Sequence, residues 1–115
     1  MIRTFLDLSV KAGHAEQLAA TFRRLGILDE SVAQPGCASA ELSVSADGRS
    51  VTVTATWDSP EAYAEWTSRG DRGDLAEHLN VHLERPLDAT TVGRVHQVLL
   101  EGAVVMSDRE VRRCE

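Results

Sequence analysis

The chain has 115 residues, 43% of them hydrophobic and 26% charged, which fits one globular domain and leaves no room for two. Its formal net charge of −6 argues against a nucleic-acid partner, because an acidic surface repels phosphate. No apolar run approaches the ~20 residues that a membrane-spanning helix needs, so no membrane partner is expected.

Cysteine usage and the start of the chain bear on the compartment. The two cysteines, Cys37 and Cys114, are too few for a disulfide scaffold. The N-terminal residues alternate at once between polar and apolar side chains and lack the apolar region of a signal peptide. We therefore expect a cytoplasmic protein.

The first predicted elements are a strand and a helix. Residues 2–10 alternate with a period of two, which is typical of a strand. Over residues 14–32 apolar side chains recur every three or four positions, which predicts a helix. Gly26 lies inside this pattern and can split it.

A hairpin is predicted next. Residues 37–45 and 50–57 both alternate, and the second stretch is dense in β-branched side chains. Asp47 and Gly48 stand between them and suit the positive φ angles of a tight turn.

The second half of the chain is predicted to hold two helices and a strand. Ser59 can cap the first helix and Pro60 suits its first position. The pattern of leucines predicts a further helix over 74–83, and alternation predicts a last strand over 92–100. A charged tail follows at 103–115.

The order of these elements predicts an α+β fold over residues 1–102. It is the ferredoxin-like split βαβ arrangement, in which helices cover one face of a four-stranded antiparallel sheet. The other face needs cover, and a second copy of the chain is the simplest cover. We therefore expect a homodimer that forms a dimeric α/β barrel.

Aromatic residues are scarce, and three of the five fall within ten positions: Trp57, Tyr63 and Trp66. Trp57 ends a predicted strand, whereas Tyr63 and Trp66 lie one turn apart on the following helix. These side chains can border one cavity, where indole N–H and phenol O–H groups would orient a flat ligand. Plain core packing of all three stays open.

Histidines are the other candidates for chemistry. His78 and His82 lie four residues apart in a predicted helix and could share a metal ion. No His-Glu-x-x-His or Cys-x-x-Cys pattern accompanies them, so we predict no metal site. A solvated or hydrogen-bonded pair, or a ligand role for one of them, stays open. His14 is given no role, and His96 could face a pocket or a partner subunit.

Motifs for several enzyme classes are absent from the sequence. There is no Gly-x-Ser-x-Gly segment to present a nucleophilic serine. There is also no glycine-rich loop before a helix, which nucleotide and flavin cofactors normally require. We therefore predict no cofactor of these kinds.

The segment 51–66, Val-Thr-Val-Thr-Ala-Thr-Trp-Asp-Ser-Pro-Glu-Ala-Tyr-Ala-Glu-Trp, resembles the antibiotic biosynthesis monooxygenase family. In that family a strand ends in Trp and is followed by an acidic or Ser/Pro cap and a helix with Ala-Tyr or Ala-Phe. The Gln-Pro-Gly-Cys stretch at 34–37 and the closing strand at 95–100 agree with it. The resemblance covers roughly residues 2–100.

This resemblance implies a homodimeric barrel that oxidises aromatic polyketides such as anthrones to quinones with O2, in secondary-metabolite biosynthesis and without a metal or flavin. Trp57 and Tyr63 match the family's pocket Trp and helix Tyr. Val53 stands where the polyketide oxidases can carry Asn, and the aligned region around His78 lacks their Arg. We therefore predict Trp57, Tyr63 and His78 as catalytic residues, with His78 as base or anion-stabilising donor.

The remaining predicted site residues bind substrate: Phe22, Trp66, Arg72 and His82. Two alternative functions stay open. The chain also resembles heme-degrading monooxygenases, in which Trp66 and His78 would have counterparts, although the insert at 70–74 lengthens the spacing. Related dimeric barrels cyclise polyketides without redox chemistry or only bind ligands.

Overall fold

A computed structural model describes residues 1–68, 72–87 and 93–102. Its elements in chain order are β1 Ile2–Ser9, α1 Ala15–Leu25, α2 Ile27–Val32, β2 Cys37–Val44, β3 Ser50–Trp57, α3 Pro60–Thr67, α4 Arg72–Asn80 and β4 Arg94–Gln97. This order confirms the predicted α+β, ferredoxin-like fold. The predicted tail at 103–115 lies outside the described residues.

The four strands form one sheet in the order β2-β3-β1-β4 with antiparallel pairing throughout. The central pairing is that of β1 with β3, which runs from Ile2 opposite Trp57 to Ser9 opposite Ser50. This register matters for the site because it sets Trp57 beside the first residue of β1 and far from its last.

The helices pack on one face of the sheet, where two hydrophobic clusters form. The main core contains Leu8, Val10, Leu18, Phe22, Val51, Leu79 and Leu83. The aromatic cluster contains Ile2, Ala55 and Trp57, with Cys37, Ala40, Ala62, Tyr63 and Trp66 packed against them. Since Ile2 and Val10 belong to different clusters, the clusters lie toward opposite ends of β1.

Local signals place two helix boundaries as predicted. Gly26 has a φ of 65° and ends α1, and its N–H bonds the Arg23 carbonyl before α2 begins at the next residue. At the start of α3 the Ser59 Oγ accepts a hydrogen bond from the Ala62 N–H at 3.2 Å, with Pro60 at the first helical position.

The predicted helix over 74–83 is wrong at its end, because α4 stops at Asn80. Leu83 instead forms a β-bridge with Val10, and the Lys11 N–H donates to the His82 carbonyl at 2.9 Å. Pairing with the end of β1 has replaced the last helical turn. His82 therefore does not lie one helical turn above His78 on α4.

The last strand is shorter than the predicted 92–100, since β4 spans Arg94–Gln97. The Val98 N–H still bonds the Met1 carbonyl at 3.1 Å. Beyond it Leu99 and Leu100 are 86% and 91% exposed, and the alternation there corresponds to no strand pairing among the described residues. Across the described ranges no helix is both long and apolar enough to cross a membrane.

Candidate functional site

The structure brings together the three clustered aromatic residues. Trp57, the last residue of β3, is only 1% exposed. The cap at Ser59 turns the chain into α3, and the Tyr63 ring then lies 5.7 Å from the Trp57 ring, at an interplanar angle of 56°. Trp66 is half-buried and packs against the same cluster. The predicted neighbourhood of these three residues is therefore present.

Gly36 allows α3 to approach the start of β2. Its φ is +88°, and a Cβ at this position would lie 2.7 Å from the Cβ of Ala62, which is too close for any side chain. The Asp58 N–H donates to the Gly36 carbonyl at 2.7 Å. Gly36 thus lets α3 pack closely against the start of β2, and its carbonyl bonds the backbone directly before α3.

The indole N–H of Trp57 is the unusual polar group of the site. Its Nε1 atom is buried and has no hydrogen-bond partner within residues 1–68, 72–87 and 93–102. A buried donor left unpaired costs about 1–3 kcal/mol, so such groups are rare in folded proteins. An acceptor atom that reached this N–H would remove that cost.

The Tyr63 hydroxyl reaches the junction of β1 and β4. A Cβ built on Gly93 would lie 3.0 Å from the Tyr63 Oη and 3.3 Å from the Phe5 carbonyl oxygen. A side chain at Gly93 would therefore require the phenol to shift by a few tenths of an ångström. Sequence reasoning missed Gly93, because nothing in the sequence shows that residues 63 and 93 approach each other.

Of the four other predicted site residues, the three whose side chains the structure describes lie outside the aromatic cluster. Phe22 lies in the main core. His78 is exposed on α4, and the side chain of Arg72 lies outside the described part of the chain. His82 adjoins the Val10–Leu83 bridge, and the extended run from Ile2 in the aromatic cluster to Val10 spans about 26 Å at ~3.3 Å per residue. Their roles toward substrate stay predictions.

His82 has a partner that the sequence did not suggest. Its Nδ1 lies 3.1 Å from the Nδ1 of His14, and its Nε2 lies 3.3 Å from the Thr21 Oγ1. Burial, followed by the nearby charges of His14 and Lys11, lowers the pKa of His82. No three His, Cys, Asp or Glu side chains of the described ranges meet as a possible metal site.

The sheet face away from the helices carries a polar and aromatic group of its own, which we call the open face. Phe5 and His96 make an edge contact with ring centroids 5.1 Å apart. The Arg94 guanidinium lies 5.0 Å from the Phe5 ring centroid and bonds Asp7 at 3.0 Å. His96 therefore faces this surface and not the aromatic cluster.

Comparison with known proteins identifies the family of this chain and solved structures with a similar fold. The sequence profile of the antibiotic biosynthesis monooxygenase family matches residues 1–82. Rv0793 from Mycobacterium tuberculosis has a TM-score of 0.68 at 20% identity, over 89% of this chain and 98% of that one. A candidate antibiotic biosynthesis monooxygenase from Nitrosomonas europaea has a TM-score of 0.69 at 17% identity, over 87% and 100%.

A third solved structure, an antibiotic biosynthesis monooxygenase, has a TM-score of 0.60 at 17% identity and covers 90% of this chain and 100% of its own. No curated protein matches the chain. At these identities the structural likeness establishes the fold, whereas the profile match establishes the family.

Proposed function

The chain belongs to the antibiotic biosynthesis monooxygenase family, and on that premise we propose that it oxidises an anthrone-type aromatic polyketide to a quinone with O2, without a metal, flavin or heme. The observation that carries the proposal is the buried Trp57 indole N–H, unpaired among the described residues and beside the Tyr63 ring. A flat phenolic ligand supplies an aromatic surface for the two rings and the acceptor oxygen that the Trp57 N–H lacks among the described residues.

The proposed reaction balances without a further reductant. Loss of a proton from the anthrone methylene carbon gives a carbanion that is delocalised into the ring oxygens. This anion passes one electron to O2, and the two radicals combine to a peroxide anion, which takes back the proton to give a hydroperoxide. The hydroperoxide loses water, so one oxygen atom enters the quinone carbonyl and the other leaves as water.

The residues of the aromatic cluster would favour the anion over the neutral substrate. The Trp57 N–H would donate to the oxygen on which negative charge grows, in a site from which water is largely excluded. Tyr63 would donate from its hydroxyl, which lies beside Gly93, directly before β4. His78 remains our candidate for the proton acceptor, although it is exposed on α4 and outside the cluster.

We also propose that the working form is a cytoplasmic homodimer in which a second copy covers the open face. The helices of the described residues all pack on the other face. The Phe5 ring on the open face is only half-buried, and Leu99 and Leu100 project almost fully exposed beyond β4, the edge strand. A two-fold copy would bury both features at once.

The test measures O2 uptake and quinone absorbance with an anthrone, using the native chain and two variants. Tyr63→Phe is expected to lower the rate about 10- to 100-fold, whereas Glu65→Gln, an exposed change on the same helix, should not alter it. Failure of the native chain to consume O2 with any anthrone overturns the proposal. A Soret shift on adding heme would favour the heme-degrading alternative, and conversion without O2 uptake would favour a cyclase.

A separate variant tests the proton acceptor. His78→Ala should lose most activity while binding substrate normally. Full activity in this variant would reject the assignment of His78 and would leave the oxidase function standing.

A further inference from the structure

The histidine pair joins two parts of the chain that the proposed oxidase chemistry does not use. His14 stands directly before α1, and its carbonyl accepts the first-turn N–H of Leu18 at 2.9 Å. His82 follows α4, where its backbone carbonyl is held by the Lys11 N–H. The contact between the two rings therefore bridges the beginning of α1 and the end of α4.

The hydrogen bonds around the pair define which nitrogen carries each proton. The Thr21 hydroxyl donates its one hydrogen to the Gln17 carbonyl at 3.0 Å, so its oxygen can only accept from His82. The neutral His82 ring must then carry its proton on Nε2 and have a lone pair on Nδ1. That lone pair accepts the Nδ1–H of His14.

The hydrogen bond between the two imidazole rings can persist after one additional proton is bound, but not after two. A proton added to Nε2 of His14 leaves its Nδ1–H donating to His82. If His14 is already charged, a second proton on His82 can go only to its Nδ1, and two N–H groups then face each other at 3.1 Å. The bond would be replaced by repulsion between two positive rings.

We propose that the His14–His82 pair is a proton-operated latch that fastens the start of α1 to the segment after α4 and opens when both rings are charged. The titratable and charged groups that act on His82 within the described residues are His14 and Lys11, both in or beside the β1–α1 connection. Both are cationic when charged, so neither stabilises a second proton. The Lys11–His82 backbone bond remains, so the movement falls on the first turn of α1.

The direction of the pH effect follows from burial and charge. The pKa of His82 is lowered from its ordinary value of 6.5, so the folded chain binds fewer protons there than the unfolded chain. Neutral His82 therefore contributes its full stabilisation of the fold above pH 6.5. This contribution is lost as the pH falls toward the lowered pKa of His82 in the folded chain. Within that window the folding equilibrium constant should fall by up to about tenfold per pH unit.

The test combines imidazole nitrogen NMR with urea unfolding between pH 5 and pH 8. We expect His82 as the Nε2–H tautomer at pH 7.5, with a titration midpoint below 6.5. We also expect amide exchange of Leu18, corrected for intrinsic rate, to rise in acid before that of amides in the β1–β3 pairing. His82→Gln should lose the pH dependence in this window, and His78→Gln, an exposed change on α4, should keep it.

Three results would overturn the latch: an Nδ1–H tautomer of neutral His82, a titration midpoint at or above 6.5, or an unchanged pH slope in His82→Gln. If that variant fails to fold, the tautomer and titration of the native chain decide the matter. None of these measurements depends on catalytic activity, so they stand apart from the test of the oxidase.

Discussion

The rings of Trp57 and Tyr63 lie 5.7 Å apart although one residue ends a strand and the other lies on a helix. Six positions separate them in the chain, and the Ser59 cap and Pro60 fold that interval back on itself. The contact joins an indole whose N–H is unpaired among the described residues to the chain's single tyrosine. Spectroscopic signals of tyrosine therefore report on this site alone.

Trp57→Phe removes the indole N–H and keeps an aromatic ring. We expect kcat on an anthrone to fall about 100-fold, because one hydrogen bond to the developing anion is lost. The free energy of unfolding should change by less than about 2 kcal/mol, since a smaller ring and the relief of a buried donor oppose each other. Oxygen uptake and urea unfolding measure the two effects. A loss of oxygen uptake that only matches the loss of folded protein would mean that Trp57 is a core residue only.

Gly93→Ala places a methyl group 3.0 Å from the Tyr63 hydroxyl. We expect destabilisation of about 1–3 kcal/mol and a changed tyrosine absorbance titration, because the phenol must move. Combining it with Tyr63→Phe removes the hydroxyl and should recover part of that loss. A double-mutant cycle by urea unfolding measures the coupling. If the changes in unfolding free energy of the two single variants simply add in the double variant, the two residues are not in contact.

Leu18→Ala tests whether the main core and the aromatic cluster are energetically separate. Leu18 is 0% exposed, so its truncation should cost about 2–5 kcal/mol of unfolding free energy. Val81→Ala, at a position 58% exposed, should stay within about 0.5 kcal/mol. Tryptophan fluorescence of folded Leu18→Ala should match that of the native chain. A shifted emission would show that the clusters are coupled.

Phe5→Asp tests the proposed dimer. A carboxylate in place of the Phe5 ring on the open face would lie beside Asp7, and a second copy would have to bury both charges. We expect the mass in light scattering to fall from two chains to one. Val32→Asp, an exposed position on α2, is the matched control and should remain dimeric. A native chain that is already monomeric would reject the proposed assembly.

Features governed by neighbouring residues could be predicted from the sequence. The start of α3 depends on Ser59 and Pro60, and the break between α1 and α2 depends on Gly26, so both were placed correctly. The proximity of the three clustered aromatic residues could also be predicted, because their positions depend only on one strand, the following helix cap and one helical turn.

Features governed by distant pairing could not be predicted. The end of α4 depends on a bridge between Val10 and Leu83, which no local pattern announces. His14 and His82 are 68 residues apart, so their contact emerges only when the strand and helix ends meet. The regular spacing of leucines and histidines continued past Asn80 and therefore favoured a helix that tertiary pairing ended early.

The central place of β1 has a consequence for how the chain is made. β1 leaves the ribosome first, yet its neighbours in the sheet, β3 and β4, begin at residues 50 and 94. The β2–β3 hairpin, by contrast, closes over a short turn and can form as soon as it emerges. The growing chain must therefore hold β1 unpaired until β3 has been made, a period in which the apolar face of β1 is exposed to aggregation and to chaperones.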